Sequence, residues 1–434
     1  MAVERIDMES LWREWEETLG LQGYIRKRHL ILQEESAVQE TEYRIELEWF
    51  PEGAADWEDE DRNPAGTVTA TLDARTRRLR FCHVRREDTP GTANHNTRRI
   101  ALEWIARLTG LREEDGRLEP ISETPEEDGI RFTFRQVEAG VRFFPGIHLD
   151  IRIGADGRLI SYGDYGWHTG TDIPLLDKPL PAPDASLLRQ IAYDAFSLVY
   201  MPEMSGKPRE RHWLYGVGET FLDGLTGETM AYEWNLKLFG QPPLNRPILW
   251  SPEEERRFAE AAVTPEKVGV FINRFITSRE SREVLIDWEE KHPDTVPIRP
   301  EEIERTYETV REWAGRRWPG GSGQWMISRV LRSNGMLMAI IERWEAGYEV
   351  GLGRTKVVVD GENYTFVDAI EPAELPPRPP EVIGKEEAFR NIVEALTCKP
   401  YYVWDRNRKG YRFMHMVDCP LLVDALSGKV VTEL

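Results

Sequence analysis

Apolar and polar positions along this chain follow two rhythms. Ile100, Ala101, Trp104, Ile105 and Leu108 fall at offsets 0, 1, 4, 5 and 8, and Ala388, Phe389, Ile392, Val393 and Leu396 repeat that spacing. At 3.6 residues per turn these offsets gather the apolar groups on one helix face. Leu188, Ile191, Ala192, Ala195, Phe196 and Val199 predict a third helix of this kind. Leu11, Trp12, Trp15 and Leu19, and Ile303, Tyr307, Val310 and Trp313, predict two shorter ones. Elsewhere the period is two. Ile147, Leu149, Ile151 and Ile153 alternate with His148, Asp150 and Arg152, and Val68, Ala70 and Leu72 alternate with Thr67, Thr69 and Thr71. That alternation predicts strands with one face buried and one face wet.

Between such strands lie turns rich in Asp and Gly: Leu72–Leu79, Gly154–Leu159, Leu222–Glu228, Val359–Asn363 and Val423–Lys429. Asp can accept from the backbone two residues on, and Gly supplies positive φ. A helix followed by strand, turn and strand is thus read five times. The predicted fold class is α+β, with tandem units that each pack an amphipathic helix on an antiparallel β-sheet. The unit boundaries are 1–90, 95–172, 184–238, 301–371 and 385–434, with a helical insert at 241–300. Within the insert, Ser251-Pro-Glu-Glu254 is a capping box with Pro at the first helical position, Thr264-Pro-Glu266 repeats it, and Ser281–Lys291 is read as a further helix. The insert is expected to act as a spacer or hinge. Proline marks linkers at 173–183 and 371–380.

Composition narrows the function. Of 434 residues, 40% are hydrophobic and 10% aromatic, which fits a globular chain, and the formal charge is −20. That charge argues against nucleic acid and against docking on anionic lipid, and it is compatible with a cationic peptide or protein partner. The first residues are charged and helical with no apolar stretch of a signal peptide, so a cytoplasmic location is expected. No run reaches the about 18 apolar residues of a membrane span. Cys82, Cys398 and Cys419 match no zinc spacing and no CxxC pair; Cys398 and Cys419 are near enough in sequence to meet.

One segment carries a family likeness. Val141-Arg-Phe-Phe-Pro-Gly-Ile-His-Leu-Asp-Ile-Arg-Ile-Gly-Ala-Asp-Gly-Arg-Leu-Ile-Ser-Tyr162, followed by Trp167, resembles bacterial PepSY-like proteins, and among these the YcdB/YcdC-type repeated domain of bacilli. Leu222–Trp234 and Leu421–Val431 look like shorter copies, so the resemblance covers 97–238 and 385–434. It implies a non-catalytic module. Such domains occur in propeptides of thermolysin-like peptidases and in envelope proteins, where control of a peptidase is the usual proposal. The resemblance leaves envelope association open and carries over no catalytic residues.

Direct signs of chemistry are few. The chain has no HExxH, phosphate loop, GxSxG or GxGxxG, and Gly320-Gly-Ser-Gly323 reads as a flexible connector. Asp164, His168 and Asp172 lie close in sequence and are weighed as metal ligands against an exposed strand end and turn anchored by Trp167. Asp56–Asp61 is weighed as a calcium loop against a solvated loop. Trp15, Trp104 and Trp313 fall on apolar stripes. Trp167, Trp234, Trp325, Trp344 and Trp404 fall near strand ends, where they suit either a binding platform or packing between repeats. The expectation is a non-enzymatic protein- or peptide-binding repeat protein without cofactor or metal. It would regulate a peptidase or an envelope process and bind through sheet faces or edges, with Trp167, His168, Asp164 and Trp234 as candidate binding residues. Two alternatives stand beside it: a hydrolytic enzyme with a site between repeats that includes His168 and Asp164, and a self-assembling scaffold.

Overall fold

The structure, a computed structural model, describes residues 3–35, 41–54, 63–85, 97–166, 169–170, 172–201, 212–224, 226–233, 238–239, 244–260, 275–276, 283–333, 335–343, 349–350, 354–371, 381–405 and 407–431. Two compact units divide the chain. The first holds 1–178, 273–295 and 401–413; the second holds 179–272, 296–400 and 414–434.

The first unit is built on one broad antiparallel sheet. Strand β1 (Val3–Asp7) lies outside it; the sheet's strands are β2 (Tyr24–Glu35), β3 (Thr41–Pro51), β4 (Val68–Asp73), β5 (Leu79–Val84), β6 (Leu118–Glu126), β7 (Gly129–Glu138), β8 (Val141–Phe144), β9 (His148–Gly154) and β10 (Leu159–Asp164). The order across the sheet is β7-β9-β10-β5-β4-β3-β2, with β6 on the far side of β7. Tyr401–Val403 runs parallel to Arg142–Phe144, and β1 pairs with Glu283–Asp287.

Two helices serve this sheet, α1 (Met8–Leu19) and α2 (Thr97–Thr109). Asp7 caps α1 by accepting from the N–H groups of Glu9 and Ser10 at 3.0 and 3.2 Å, and Gly20 ends it with φ +72°. Leu11, Trp12 and Trp15 are buried under α1, and Ala101 and Ile105 under α2. Each large apolar side chain so placed contributes about 2 kcal/mol relative to exposure. The Trp12 ring meets Trp49 edge-on at 4.8 Å.

The second unit holds two smaller sheets, each with its own core. Helices α3 (Ala185–Asp194) and α6 (Lys385–Arg390) serve the sheet of Phe196–Met201, His212–Val217 and Leu422–Asp424, with Ala192, Phe196, Tyr215 and Phe389 in its core. Helices α4 (Pro252–Glu260) and α5 (Pro300–Arg317) serve Trp325–Ser333, Met336–Arg343, Thr355–Asp360 and Phe366–Ile370. Gly315 of α5 lies against Phe258 of α4, where a Cβ would fall 2.2 Å from the ring.

All five Asp turns close antiparallel hairpins. Asp73, Asp156, Asp223, Asp360 and Asp424 each accept through Oδ1 from a backbone N–H two or three residues on. The tandem α+β layout is nevertheless overturned. Among the described residues there are twenty-seven strands and six α-helices, and the hairpins do not each form a separate helix-covered unit. Strand β10 pairs with β5, so the hairpins β4–β5 and β9–β10 merge into one sheet. The turn chemistry is local and repeats; strand partners are chosen at long range and do not.

Individual elements are corrected as well. Ser281–Lys291 is not a helix, because Glu283–Asp287 is a strand held by β1. Among the described residues the helical insert therefore reduces to α4 and one 3-10 turn at Pro293–Thr295. Helix α3 stops at Asp194, and Phe196, Leu198 and Tyr200 are buried alternately along a strand. Helix α5, expected to be short, spans 18 residues. The capping box at α4 forms, with Ser251 Oγ accepting from Glu254 N at 3.2 Å and Glu254 Oε2 from Ser251 N at 2.9 Å. Thr264–Glu266 lies outside the described residues. The Gly320–Gly323 loop is anchored, since Ser322 Oγ accepts from Trp250 N and donates to Trp250 O. The linker beginning at 173 is pinned in part, with Leu176 N donating to Tyr411 O at 2.9 Å.

Candidate functional site

Of the four candidate binding residues, Asp164 is described; Trp167, His168 and Trp234 lie outside the described residues, as do Trp344 and the Asp56–Asp61 loop. Asp164 is 3% exposed, so the exposed strand end expected there is corrected to a buried one. Its Oδ1 accepts from Gly166 N at 2.9 Å and from Thr169 Oγ1 at 2.5 Å. Arg80 donates to Gly166 O, Arg78 donates to Thr169 O, and the Gln136 amide exchanges two hydrogen bonds with the backbone of Gly170. Burial pushes the Asp164 carboxyl up, and the guanidinium of Arg80 works against that rise. The group thus anchors the chain after β10.

The reason lies in β10. Its register against β9 shifts between Leu159 and Ser161, so one extra residue is inserted. Because side chains alternate, the bulge turns Tyr162 and Asp164 to the covered face and Ser161 and Gly163 to the wet face.

Trp325 and Trp404 are buried, as are Trp15 and Trp313, while Trp104 is half-buried. The three cysteines are free; Cys419 is buried and Cys398 half-buried. Asp172 is exposed. Among the described residues no three His, Cys, Asp or Glu side chains converge as a metal site.

The concave feature of the first unit lies on the wet face of its sheet. A depression of about 260 Å³ is lined by Thr71, Phe81, His83, Asp150, Ser161 and Tyr165, among others. Strand register places these residues in two rows. One runs Glu46, Thr71, Phe81, Gly163, Asp150, Thr133 across β3, β4, β5, β10, β9 and β7. The next runs Glu48, Thr69, His83, Ser161, Arg152, Arg131 across the same strands. Small side chains at Thr69, Thr71, Ser161 and Gly163 lower the floor. Tyr165 lies over Gly163, where a Cβ would fall 2.9 Å from its ring, and meets Phe81 edge-on at 5.3 Å.

Charges differ between the rows. In the second, Arg28 pairs with Glu48 at 2.8 Å, Arg131 with Glu126 at 2.8 Å, and Arg152 with Glu126 and Asp128 at 2.8 and 3.5 Å. Burial, helped by Arg152, holds the His83 imidazole below its ordinary range. In the first row, Asp150 Oδ1 is buried without a hydrogen-bond partner among the described residues. Burial pushes the Glu46 carboxyl up, against the pull of Arg28. The sequence showed Asp150 on a wet face, but its neighbours on that face lie up to about a hundred residues away and were not legible.

Comparison with known proteins adds little to this geometry. No family model matches the chain, and no curated protein matches it. Among solved structures, the Bacillus megaterium YpeB C-terminal domain, a PepSY-type domain, matches at 13% identity over 55% of this chain and 97% of its own. Its TM-score of 0.28 is too low to support an argument about fold or function. No helix among the described residues is long and apolar enough to cross a membrane.

Proposed function

We propose that this chain is a non-enzymatic protein that binds a peptide or protein segment on the wet sheet face of its first unit. The observation that supports this reading is the depression over Thr71, Ser161 and Gly163, with aromatic and charged side chains at its margin. A sheet face lowered by small side chains can seat an extended segment, and aromatic groups at the margin supply contact area at small entropic cost. The outer edge at β6 is a poorer candidate for strand addition. Pro120 and Pro125 lack the N–H that edge pairing needs, and the strand also carries Glu119, Glu123 and Glu126.

The regulatory part of the proposal, control of a peptidase or an envelope process, rests on the resemblance of Val141–Tyr162 to PepSY-like sequences. A peptide array probed with the full chain, followed by covalent footprinting, tests the binding reading. Bound peptide is expected to protect His83 and Tyr165 from labelling. Catalytic turnover by the purified chain that disappears in His83→Ala would overturn it in favour of an enzyme.

A further inference from the structure

The row from Glu46 to Asp150 has unbalanced charge. Neither carboxylate forms a hydrogen bond or ion pair among the described residues, although the charge of Arg28 acts on Glu46; Arg131 and Arg152, in the adjacent row, are engaged by Glu126 and Asp128. Between the two acids stand Phe81 and Tyr165, in edge-to-face contact at 5.3 Å. Gly163 is the cross-strand partner of both Phe81 and Asp150, so no side chain of its own separates them, and Tyr165 lies over the gap. A carboxylate beside an exposed aromatic face is a recognition element for an ammonium or guanidinium group.

Resting on the peptide-binding reading above, we infer that this row takes a basic extended segment. Asp150 with the exposed Tyr165 ring holds one cationic side chain, and Glu46 holds a second; Phe81, already faced by the Arg44 guanidinium at 5.9 Å, supports Tyr165 from the side. Four inter-strand steps separate Glu46 from Asp150, a span of about 19 Å, which an extended chain covers in about six residues. The chain's charge of −20 favours the approach of such a segment. A cation over Glu46 would offset the burial that pushes its carboxyl up.

The test uses the full chain and end-blocked heptapeptides. One carries Lys at positions 1 and 7 with Ser and Gly between, one carries Glu at those positions, and one is uncharged. Binding is read by fluorescence anisotropy, and location by footprinting of His83 and Tyr165. The Lys peptide is expected to bind tightest and to protect both residues. Asp150→Asn and Glu46→Gln are each expected to weaken it about fivefold, as for an exposed charge pair. Gly163→Ala, whose Cβ would displace the Tyr165 ring, is expected to weaken it as well. Glu114→Gln, at an exposed acid elsewhere on the same unit, is the control, and thermal melts show that each variant folds.

Equal loss in Asp150→Asn and Glu114→Gln would overturn the inference, because the attraction would then be to net charge alone. Protection of His83 and Tyr165 by the uncharged peptide but not by the Lys peptide would overturn the inference and leave the peptide-binding reading standing. Failure of all three peptides to protect the face would overturn both.

Discussion

The two faces of the first unit's sheet share the same strands and differ in what those strands present. On the covered face, Leu47, Ala70, Cys82, Tyr162, Ile151 and Phe132 form one row, each no more than 3% exposed. One residue along each strand, the wet row reads Glu46, Thr71, Phe81, Gly163, Asp150 and Thr133, all of them half-buried apart from Gly163. The covered row is continuous and apolar, so its job is stability. The wet row mixes small, aromatic and acidic groups, and nothing in folding alone requires that mixture. The comparison teaches that a shift of one residue divides structural from functional demand on this sheet.

That division can be broken by substitution. Phe132→Ala in the covered row is expected to cost about 3–5 kcal/mol, the usual range for a large buried aromatic, read as a lower urea midpoint for the first unit. Asp164→Ala, at the end of the same face, is expected to cost about 2 kcal/mol. It leaves the N–H of Gly166 and the hydroxyl of Thr169 without their acceptor. Asp164→Asn keeps an acceptor and is expected to cost less. It also changes the pH profile. A carboxyl raised by folding contributes stability that is full below about 3.8, its ordinary value, and lost as pH rises through the folded value. The difference in urea midpoint between the parent and Asp164→Asn is expected to shift in favour of the variant as pH rises from 3 to 7.

At the rim of the covered face, the sign reverses. Glu16 accepts from Arg26 at 2.7 Å and from Trp49 Nε1 at 3.1 Å, and the Arg26 guanidinium holds its carboxyl below the ordinary 4.5. A depressed carboxyl contributes stability above its unfolded pKa and loses it as pH falls through the folded value. Glu16→Gln is therefore expected to lower the melting temperature slightly at pH 7, by about 1 kcal/mol or less in stability, and to change little at pH 3. The smallest effect belongs to the wet row. Thr71→Ala is expected to stay within about 0.5 kcal/mol of the parent. A loss there as large as that of Phe132→Ala would show that the wet row is structural and would end the comparison.

Much of the local structure was legible in the sequence. The five Asp turns were, because Asp73 and its counterparts bond backbone only two or three residues away. The helix of Thr97–Thr109 and the alternation of Ile147 to Ile153 were, because a single element decides which face is buried. The sheet order was not. Nothing in the periodicity of β10 names β5 as its partner, and nothing in Ser281–Lys291 names β1. The depth of Asp164 was hidden by one inserted residue, which reversed the parity of everything after it. The candidate row was therefore readable at Asp150 and invisible as a row.

The pairing of β1 with Glu283–Asp287 has a consequence for biosynthesis. The Trp288 indole donates to Glu4 across 284 positions of the chain, and Tyr401–Val403 is claimed by β8 later still. At a ribosomal rate of about 5–20 residues per second, β1 waits about 15–60 s for its partner to be made. For that interval the N–H and C=O groups of β1 lack the partner strand that will match them. Until then only water can satisfy those groups, so β1 is among the last parts of the first unit to gain its final partners.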